Sequence, residues 1–595
     1  MLNKINLIKE RIQQRSNASR AAYLNNIEFW KKNSPNRNSL GCSNLAHTYA
    51  ACNKKSPTES LNIKKFIGII TAYNDMLSAH APLEAYPGQL KNEADKLNLH
   101  IQVAGGVPAM CDGITQGEPG MELSLFSRDA IALSTAIGLS HNVFDAAICM
   151  GTCDKIVPGL LIGALKFGHL PIIFIPGGPM ATGISNAKKS ETRQSYAAGE
   201  IEKIDLLAVE QQAYHSEGTC TFYGTANTNQ LIAEAMGFQL PGAAFTPTDS
   251  PIREALNKES LKSLMKLMDI ELGLGEMLDL KNWINAIIVL LASGGSTNLV
   301  IHLIAMARSA GYIIEIEDFN DLSQIIPLLC QIYPNGNADV NEFHAEGGIA
   351  RLLTNLIDGG LIYEDIQTVA GLGLSHYTKV PFIESSKDKT LRWANLERHT
   401  RPLKSIATAE SPFKPNGGIK FIGGDIAEGV IKVSALKDEN GVIRAPTKVF
   451  LSQEAVLKAF ESDELNQDVI LVLLGQSPAM NGMPELHKLT SPINVLQKRG
   501  YNIALVTDGR MSGASGSFPA LIHAVSENNN LYKIRTGDIL TLDLENAKLS
   551  IEDQNLEKRE PIQIAPSNHG LGRELFKIFR DNVSSVKLGA TIFHD

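Results

Sequence analysis

Three reactive side chains stand in a row at the end of one apolar segment. Ala146–Met150 is a short run of strand length that stops at Gly151–Thr152–Cys153–Asp154–Lys155, so a thiol, a carboxylate and an amine share one loop. A second thiol and carboxylate, Cys111–Asp112, follow the apolar segment Ile101–Ala104 and the Gly105–Gly106 turn. Thiols at loop positions are open to soft-metal ligation, whereas Cys149, inside the apolar run, reads as a small core residue. The seven cysteines (42, 52, 111, 149, 153, 220, 330) include no CxxC pair and are odd in number. That fits free thiols or metal ligands better than a disulfide framework, but the spacing by itself specifies no metal. Lys155 beside Asp154 also reads as an ordinary loop ion pair, and Ser512 in the Asp508–Gly513 loop as a turn residue.

These residues need elements to position them. Residues 121–138 place Leu125, Ile131, Leu133 and Ile137 among small residues, as in a buried helix. Pro158–Gly159 opens a helix over Leu160–Phe167, and the strand Pro171–Ile175 stops at Pro176–Gly177–Gly178–Pro179. The result is a βαβ unit with its reactive groups at the carboxyl end of a strand, the edge where open α/β sheets bind ligands. Upstream, residues 1–62 read as polar helix with a break at Asn33–Asn38, and Phe66–Thr71 reads as a strand. Residues 181–217 are charged and helical in pattern, an excursion over the surface, and Thr219–Cys220–Thr221 then leads to a helix over Gln230–Gly237. Asn282–Ala292 reads as helix or buried strand. Ser293–Gly294–Gly295–Ser296–Thr297–Asn298 caps the helix Leu299–Ala310, either as an anion site built on its free amides or as a plain cap. From Pro402–Gly418 onward the texture changes to short β-patterned stretches: Ile419–Gly423, Val430–Ser434, Val449–Leu451, Val469–Leu474, Ile503–Thr507 and Ile539–Leu544. The expected fold is α/β: an α/β domain over 1–402 with a mostly parallel sheet, then a smaller β-rich, barrel-like domain over 403–595.

Composition bounds the function. At 595 residues the chain exceeds one core, and 44% apolar with 20% charged residues is ordinary for a globular protein. A net charge of −8 argues against nucleic-acid or membrane-surface binding. The first residues lack an apolar signal region, and no run approaches the roughly 18 apolar residues that span a bilayer, so the cytoplasm is the expected location.

The CDG…QG…GM…SL.SR pattern from Cys111 to Arg128 and the CDKIVPG loop (Cys153–Gly159) resemble the dihydroxy-acid/phosphogluconate dehydratase family. So do Gly218–Asn227 (GTCTFYGTAN), Gly294–Asn298 (GGSTN) and Thr507–Gly513 (TDGRMSG), and the likeness runs from about residue 10 to the end. Ser43–Cys52, Thr71–His80, VAGGVPAMCDG and Asn481–Leu489 (NGMPELHKL) look like the branch that acts on 6-phosphogluconate.

The resemblance implies a [4Fe-4S] cluster on Cys153 and Cys220. Some dihydroxy-acid members carry a further ligand cysteine where this chain has Leu77, which leaves Cys111 as the best third ligand. It also implies Mg²⁺ on Asp112, Asp154, Glu485 and Lys155 (the lysine as a carbamate), Ser512 as base, and Ser296, Thr297, Asn298 and Arg510 as substrate-binding residues. Arg510 could pair with a substrate carboxylate or with Asp508. The implied reaction is dehydration of 6-phospho-D-gluconate to 2-dehydro-3-deoxy-6-phospho-D-gluconate in the Entner–Doudoroff route, by a homodimer. His80, the Gly294–Asn298 cap, His487 and Lys488 offer polar partners suited to a phosphate rather than an alkyl chain. A dihydroxy-acid or other sugar-acid dehydratase is the alternative on the same site, and an iron–sulfur electron-transfer or sensor protein the alternative from another class. A nucleotide-binding oxidoreductase is disfavoured, because no GxGxxG follows a strand.

Overall fold

The computed structural model describes residues 2–34, 40–51, 65–384, 390–397, 403–436, 438–513, 515–553, 555–566 and 569–594. Cys52, most of the expected break at Asn33–Asn38 and the expected boundary at Pro402 lie outside the described residues.

Four strands, β1 (Lys65–Thr71), β2 (Leu99–Gly106), β3 (Ala146–Met150) and β4 (Ile172–Ile175), form a sheet in the order β2-β1-β3-β4, parallel throughout. β3 and β4 are apolar from end to end and buried at every position, as strands covered on both faces must be. The pairing aligns Thr71 with Gly106 on one side and with Met150 on the other. The loops that follow β1, β2 and β3 therefore leave from one edge.

A 32-residue helix, α1 (Leu2–Asn33), docks through Ile5, Ile8, Ile12 and Ile27. Helix α2 (Ser124–Leu139) buries Leu125 and Ile131 as expected, but Leu133 is 44% and Ile137 67% exposed. At 100° per residue, positions 133 and 137 share the outer face, and the small residues between them do not bring that face inward. Helix α3 (Ile156–Leu165) starts four residues before the expected Leu160, because Pro158 fits a first turn where no amide partner is needed. Residues 181–217 hold α4 (Asn186–Ala197) and α5 (Lys203–Ala213); this segment is not purely superficial, since Asn186, Lys189 and Thr192 are buried. Helix α6 (Thr225–Ala235) starts five residues before the expected Gln230. Its Thr and Asn residues are poor helix formers, yet their side chains are bonded within the fold, and tertiary contacts override propensity. Helix α7 (Leu280–Ala292) resolves the helix-or-strand ambiguity, with Asp279 capping Lys281 and Asn282, and α8 covers Asn298–Ser309.

The C-terminal region is a barrel. Strands β5 (Ile419–Ile422), β6 (Glu428–Lys432), β7 (Val442–Phe450), β8 (Val469–Leu473), β9 (Ile503–Thr507), β10 (Ala520–Val525), β11 (Ile539–Asp543) and β12 (Lys548–Ile551) run in the order β12-β11-β7-β8-β9-β10-β6-β5. Gly423 closes the ring: its amide donates to Ala547 and its carbonyl accepts from Leu549. Ile422, Ile431, Ala445, Val472, Val506, Leu521, Leu542 and Leu549, one from each strand, share the interior core. The alternate residues Val469, Leu471, Leu473, Ile503 and Leu505 join the large core that also contains β1, β3 and β4. The sequence pattern did not suggest β10, whose alternation is broken at His523 (φ 57) opposite a register shift at Glu428–Val430.

The last residues return to the first region. Arg128 donates to the carbonyls of Gly589 (3.0 Å) and Ala590 (2.6 Å), and Asp129 accepts from Thr591 Oγ1 (3.0 Å) and the Ile592 amide (2.8 Å).

Candidate functional site

The loop after β3 carries Cys153, Asp154 and Lys155 to the common edge, and the loop after β2 carries Cys111 and Asp112. Lys155 is fully buried; it donates to Asp112 Oδ2 and lies 3.5 Å from Asp154 Oδ2. It bridges two carboxylates, rather than simply pairing with its neighbour. Ser124 Oγ, at the start of α2, donates to Asp112 Oδ1 at 2.5 Å.

The barrel supplies the other wall, from loops after the parallel strands β8 and β9. Glu485 and Arg510 form a backbone bridge, and the guanidinium donates to Glu485 Oε1 (2.6 Å), to the Met483 carbonyl (2.8 Å) and to Asp112 Oδ2 (3.4 Å). Glu485 also accepts from Asn298 Nδ2 and Gln116 Nε2, both at 2.9 Å. Gly482 (φ +75) lets this loop cross the first region, since a Cβ there would collide with the Glu122 carbonyl.

Asp112, Asp154 and Glu485 each place an oxygen within 4.8 Å of the others, a buried acidic triad able to bind a metal ion. Burial would push the Asp112 carboxyl up, but Lys155 and Arg510 outweigh it and hold it at about 2. Burial raises Asp154 to about 6 against the pull of Lys155, and Glu485 also rises through burial despite Arg510. Three carboxylates facing two cations leave the site short of positive charge, and hard oxygen donors suit a cation such as Mg²⁺.

Beside the triad, the thiols of Cys111, Cys153 and Cys220 lie close enough to act on one another. Burial and then Cys111, Asp154 and Cys220 push the Cys153 thiol up; burial and then Cys111 push Cys220 to about 12. Cys111 is raised by burial and Asp112. Thiols so reluctant to ionise alone become thiolates when a metal centre supplies the counter-charge. By contrast, burial alone raises Cys149 and Cys330, which sit in the core. Helix α6 fixes the thiol loops: Asn229 Nδ2 donates to the Asp154 carbonyl (2.7 Å), Gln230 Nε2 to Thr152 (2.7 Å), and Asn227 Nδ2 to Cys220 (2.7 Å) and Phe222 (2.8 Å). These amides were not singled out from the sequence; the run of Asn, Thr and Gln at the start of a buried helix was the available signal.

The loop bearing Ser512 packs onto the Ser296 loop so tightly that a Cβ on Gly513 would lie 2.7 Å from both Ser296 Oγ and the Thr225 amide. Ser296 Oγ meets Thr225 Oγ1 at 2.9 Å. The amides of Ser296, Asn298, Leu299 and Val300 have partners within the fold (Thr228 Oγ1, Ser296 Oγ, and the carbonyls of Ser296 and Thr297). Asn298 reaches the site through its side chain instead. Arg510 does not pair with Asp508, whose carboxylate accepts from Tyr532 (2.5 Å) and the Gln476 amide (2.9 Å). His80 is buried with neither ring nitrogen partnered among the described residues, Lys488 is exposed near Glu118, and Leu77 is core.

Two family descriptions match in tandem: Dihydroxy-acid/6-phosphogluconate dehydratase N-terminal over residues 64–377, and the corresponding C-terminal description over 404–590. The chain belongs to the dihydroxy-acid/6-phosphogluconate dehydratase family. It is 47% identical to the phosphogluconate dehydratase of Pseudomonas aeruginosa, with 98% of each chain covered. Identity to the Escherichia coli K12 phosphogluconate dehydratase is also 47%, again over 98% of each. The dihydroxy-acid dehydratase of Caldanaerobacter subterraneus is 31% identical, over 83% of this chain and 88% of that one. The chain is therefore a dehydratase, a hydro-lyase, and among the described residues no helix is long and apolar enough to cross a membrane.

Proposed function

We propose that this dehydratase converts 6-phospho-D-gluconate to 2-dehydro-3-deoxy-6-phospho-D-gluconate in the cytoplasm, as a step of the Entner–Doudoroff route. What supports this reading is the full-length likeness to phosphogluconate dehydratases, joined to a buried acidic triad able to bind a metal ion. Cys111, Cys153 and Cys220 would hold a [4Fe-4S] cluster, and Asp112, Asp154 and Glu485, with Lys155 as a carbamate, would hold Mg²⁺. When bound, the cluster supplies a Lewis acid for a departing hydroxide, and the magnesium supplies positive charge for a carboxylate.

The protein's own residues have the remaining tasks. Ser512 takes the proton from C2; that electron pair forms the C2–C3 double bond as hydroxide leaves C3, and the enol then tautomerises to the 2-keto acid. Arg510 holds Glu485 and Asp112 in place, which leaves it few N–H groups for substrate. Asn298 and Gln116 orient the Glu485 carboxylate. A homodimer would cover the apolar stripe of Val103, Leu133 and Ile137, which is exposed on β2 and α2.

The test is anaerobic turnover of 6-phosphogluconate, gluconate and 2,3-dihydroxyisovalerate by purified protein. A higher kcat/KM for 6-phosphogluconate than for the other two is the expected result. A higher value for dihydroxyisovalerate would move the chain to the other branch of its family.

A further inference from the structure

Lys189, on the inner face of α4, is 5% exposed and has no carboxylate within ion-pair distance among the described residues. Its ammonium donates to Tyr214 Oη (3.1 Å) and lies over the rings of Tyr214 (4.6 Å) and Phe222 (5.2 Å). A buried cation without a counter-ion is costly, so such sites are usually completed by an anion. One helical turn on, Arg193 engages Glu210 through two of its nitrogens and turns the third, NH1, toward His487 Nε2 at 3.4 Å. Two cations facing one carboxylate leave a unit of positive charge uncompensated.

The location matters as much as the charge. The Phe222 ring that faces Lys189 lies two residues beyond Cys220, so the cationic group borders the loop that carries that thiol. On its other side, His487 Nδ1 lies 3.5 Å from Thr490 Oγ1, Thr490 lies 3.2 Å from Ser515 Oγ, and the Ser515 amide donates to the Ser512 carbonyl at 2.9 Å. In 6-phosphogluconate five bonds separate C3 from phosphorus, a reach of roughly 6 Å at about 1.2 Å per bond in an extended chain. A phosphate on a substrate whose C2 meets Ser512 must therefore fall close to the thiols and the base loop, where this group lies.

We infer that Lys189, Arg193 and His487 form the subsite for the terminal phosphate of the substrate, with Lys189 as the principal cation. The inference rests on the proposed function for the identity of the substrate. It assigns the selection of phosphorylated over plain sugar acids to α4 and the loop after β8, not to the Gly294–Asn298 cap.

The test uses cluster-loaded enzyme prepared anaerobically, with inorganic phosphate as a competitive probe. Lys189→Met should raise KM for 6-phosphogluconate by on the order of 10²-fold, with kcat changed less than about threefold. It should weaken inhibition by inorganic phosphate to a similar degree and leave iron content unchanged. His487→Gln, a milder change, should shift both in the same direction by about tenfold. The inference is overturned if Lys189→Met leaves phosphate inhibition intact, or if it lowers iron content and kcat together, which would make Lys189 a counter-charge for the cluster. A wild-type enzyme that turns over only unphosphorylated acids would instead sink the proposed function, and the phosphate-inhibition measurement keeps the two failures apart.

Discussion

The two halves of the molecule contribute to one site in unequal ways. The first region offers loops from the carboxyl ends of β1, β2 and β3, which carry Cys111, Asp112, Cys153, Asp154 and Lys155. The barrel offers the loops after β8 and β9, the central pair of its three consecutive parallel pairings, with Glu485, Arg510 and Ser512. Its other strands complete the ring, and all eight contribute to the interior core. In both halves these loops leave the carboxyl ends of parallel strands, the edge where ligands gather in such sheets, and neither half holds the acidic triad alone. The first half supplies Cys111, Cys153 and Cys220 and two of the three carboxylates; the second supplies the closing carboxylate, the guanidinium and the Ser512 hydroxyl.

That division can be broken from either side. Cys153→Ser should remove iron and sulfide from anaerobically purified protein and lower activity by at least roughly 10³-fold, the scale of a lost Lewis acid. Full iron and turnover in this variant would end the thiol assignment. Ser512→Ala attacks the barrel's share: iron should remain, while kcat falls by on the order of 10²-fold or more and solvent-deuterium exchange at C2 disappears. Wild-type rates would take the serine out of the chemistry. The seam itself is probed by Gly513→Ala, whose added carbon meets Ser296 and the Thr225 amide. Displacing the Ser512 loop by a fraction of an ångström should cost about tenfold in kcat with iron retained; unchanged kinetics would show that the seam yields.

Smaller effects sharpen the contrast between the cores. Lys432 in β6 is buried, its ammonium has no hydrogen-bond partner among the described residues, and burial lowers it from 10.5 to about 7. Between those values the unfolded chain binds more protons than the folded one, so this residue makes stability rise with pH by up to about 1.4 kcal/mol per unit. Lys432→Met should flatten that rise in Tm between pH 7 and 10; an unaltered slope would mean that the ammonium finds a partner. Cys149→Ala, in β3, should cost about 1 kcal/mol and leave iron content untouched.

Much of this was legible before the structure, though unevenly. The buried β3, β4 and β8, apolar throughout, and β9, apolar up to Thr507, announced themselves, because parallel strands buried on both faces need no alternation to be recognised. Strand β10 was not legible, because the bulge at His523 breaks its pattern. Cys153 and Asp154 stood out by adjacency at a strand end. The Lys189–Arg193–His487 group did not, because nearly 300 residues separate its members, and only the packing of α4 against the barrel's loops brings them together. The Ser296 turn was legible as a cap, whereas sequence cannot show that Thr228 and Ser296 take up the Ser296 and Asn298 amides.

The embrace of Arg128 and Asp129 by residues 589–592 makes one helix answerable to a distant part of the chain. Both charged side chains sit in α2, and their partners lie 461 to 463 residues further along. Without those partners a buried guanidinium and carboxylate have only each other and His302 among the described residues. Losing them would leave buried polar groups short of hydrogen bonds, at about 1–3 kcal/mol each. The same helix opens with Ser124, which donates to Asp112, so a loosened latch would be felt in the acidic triad.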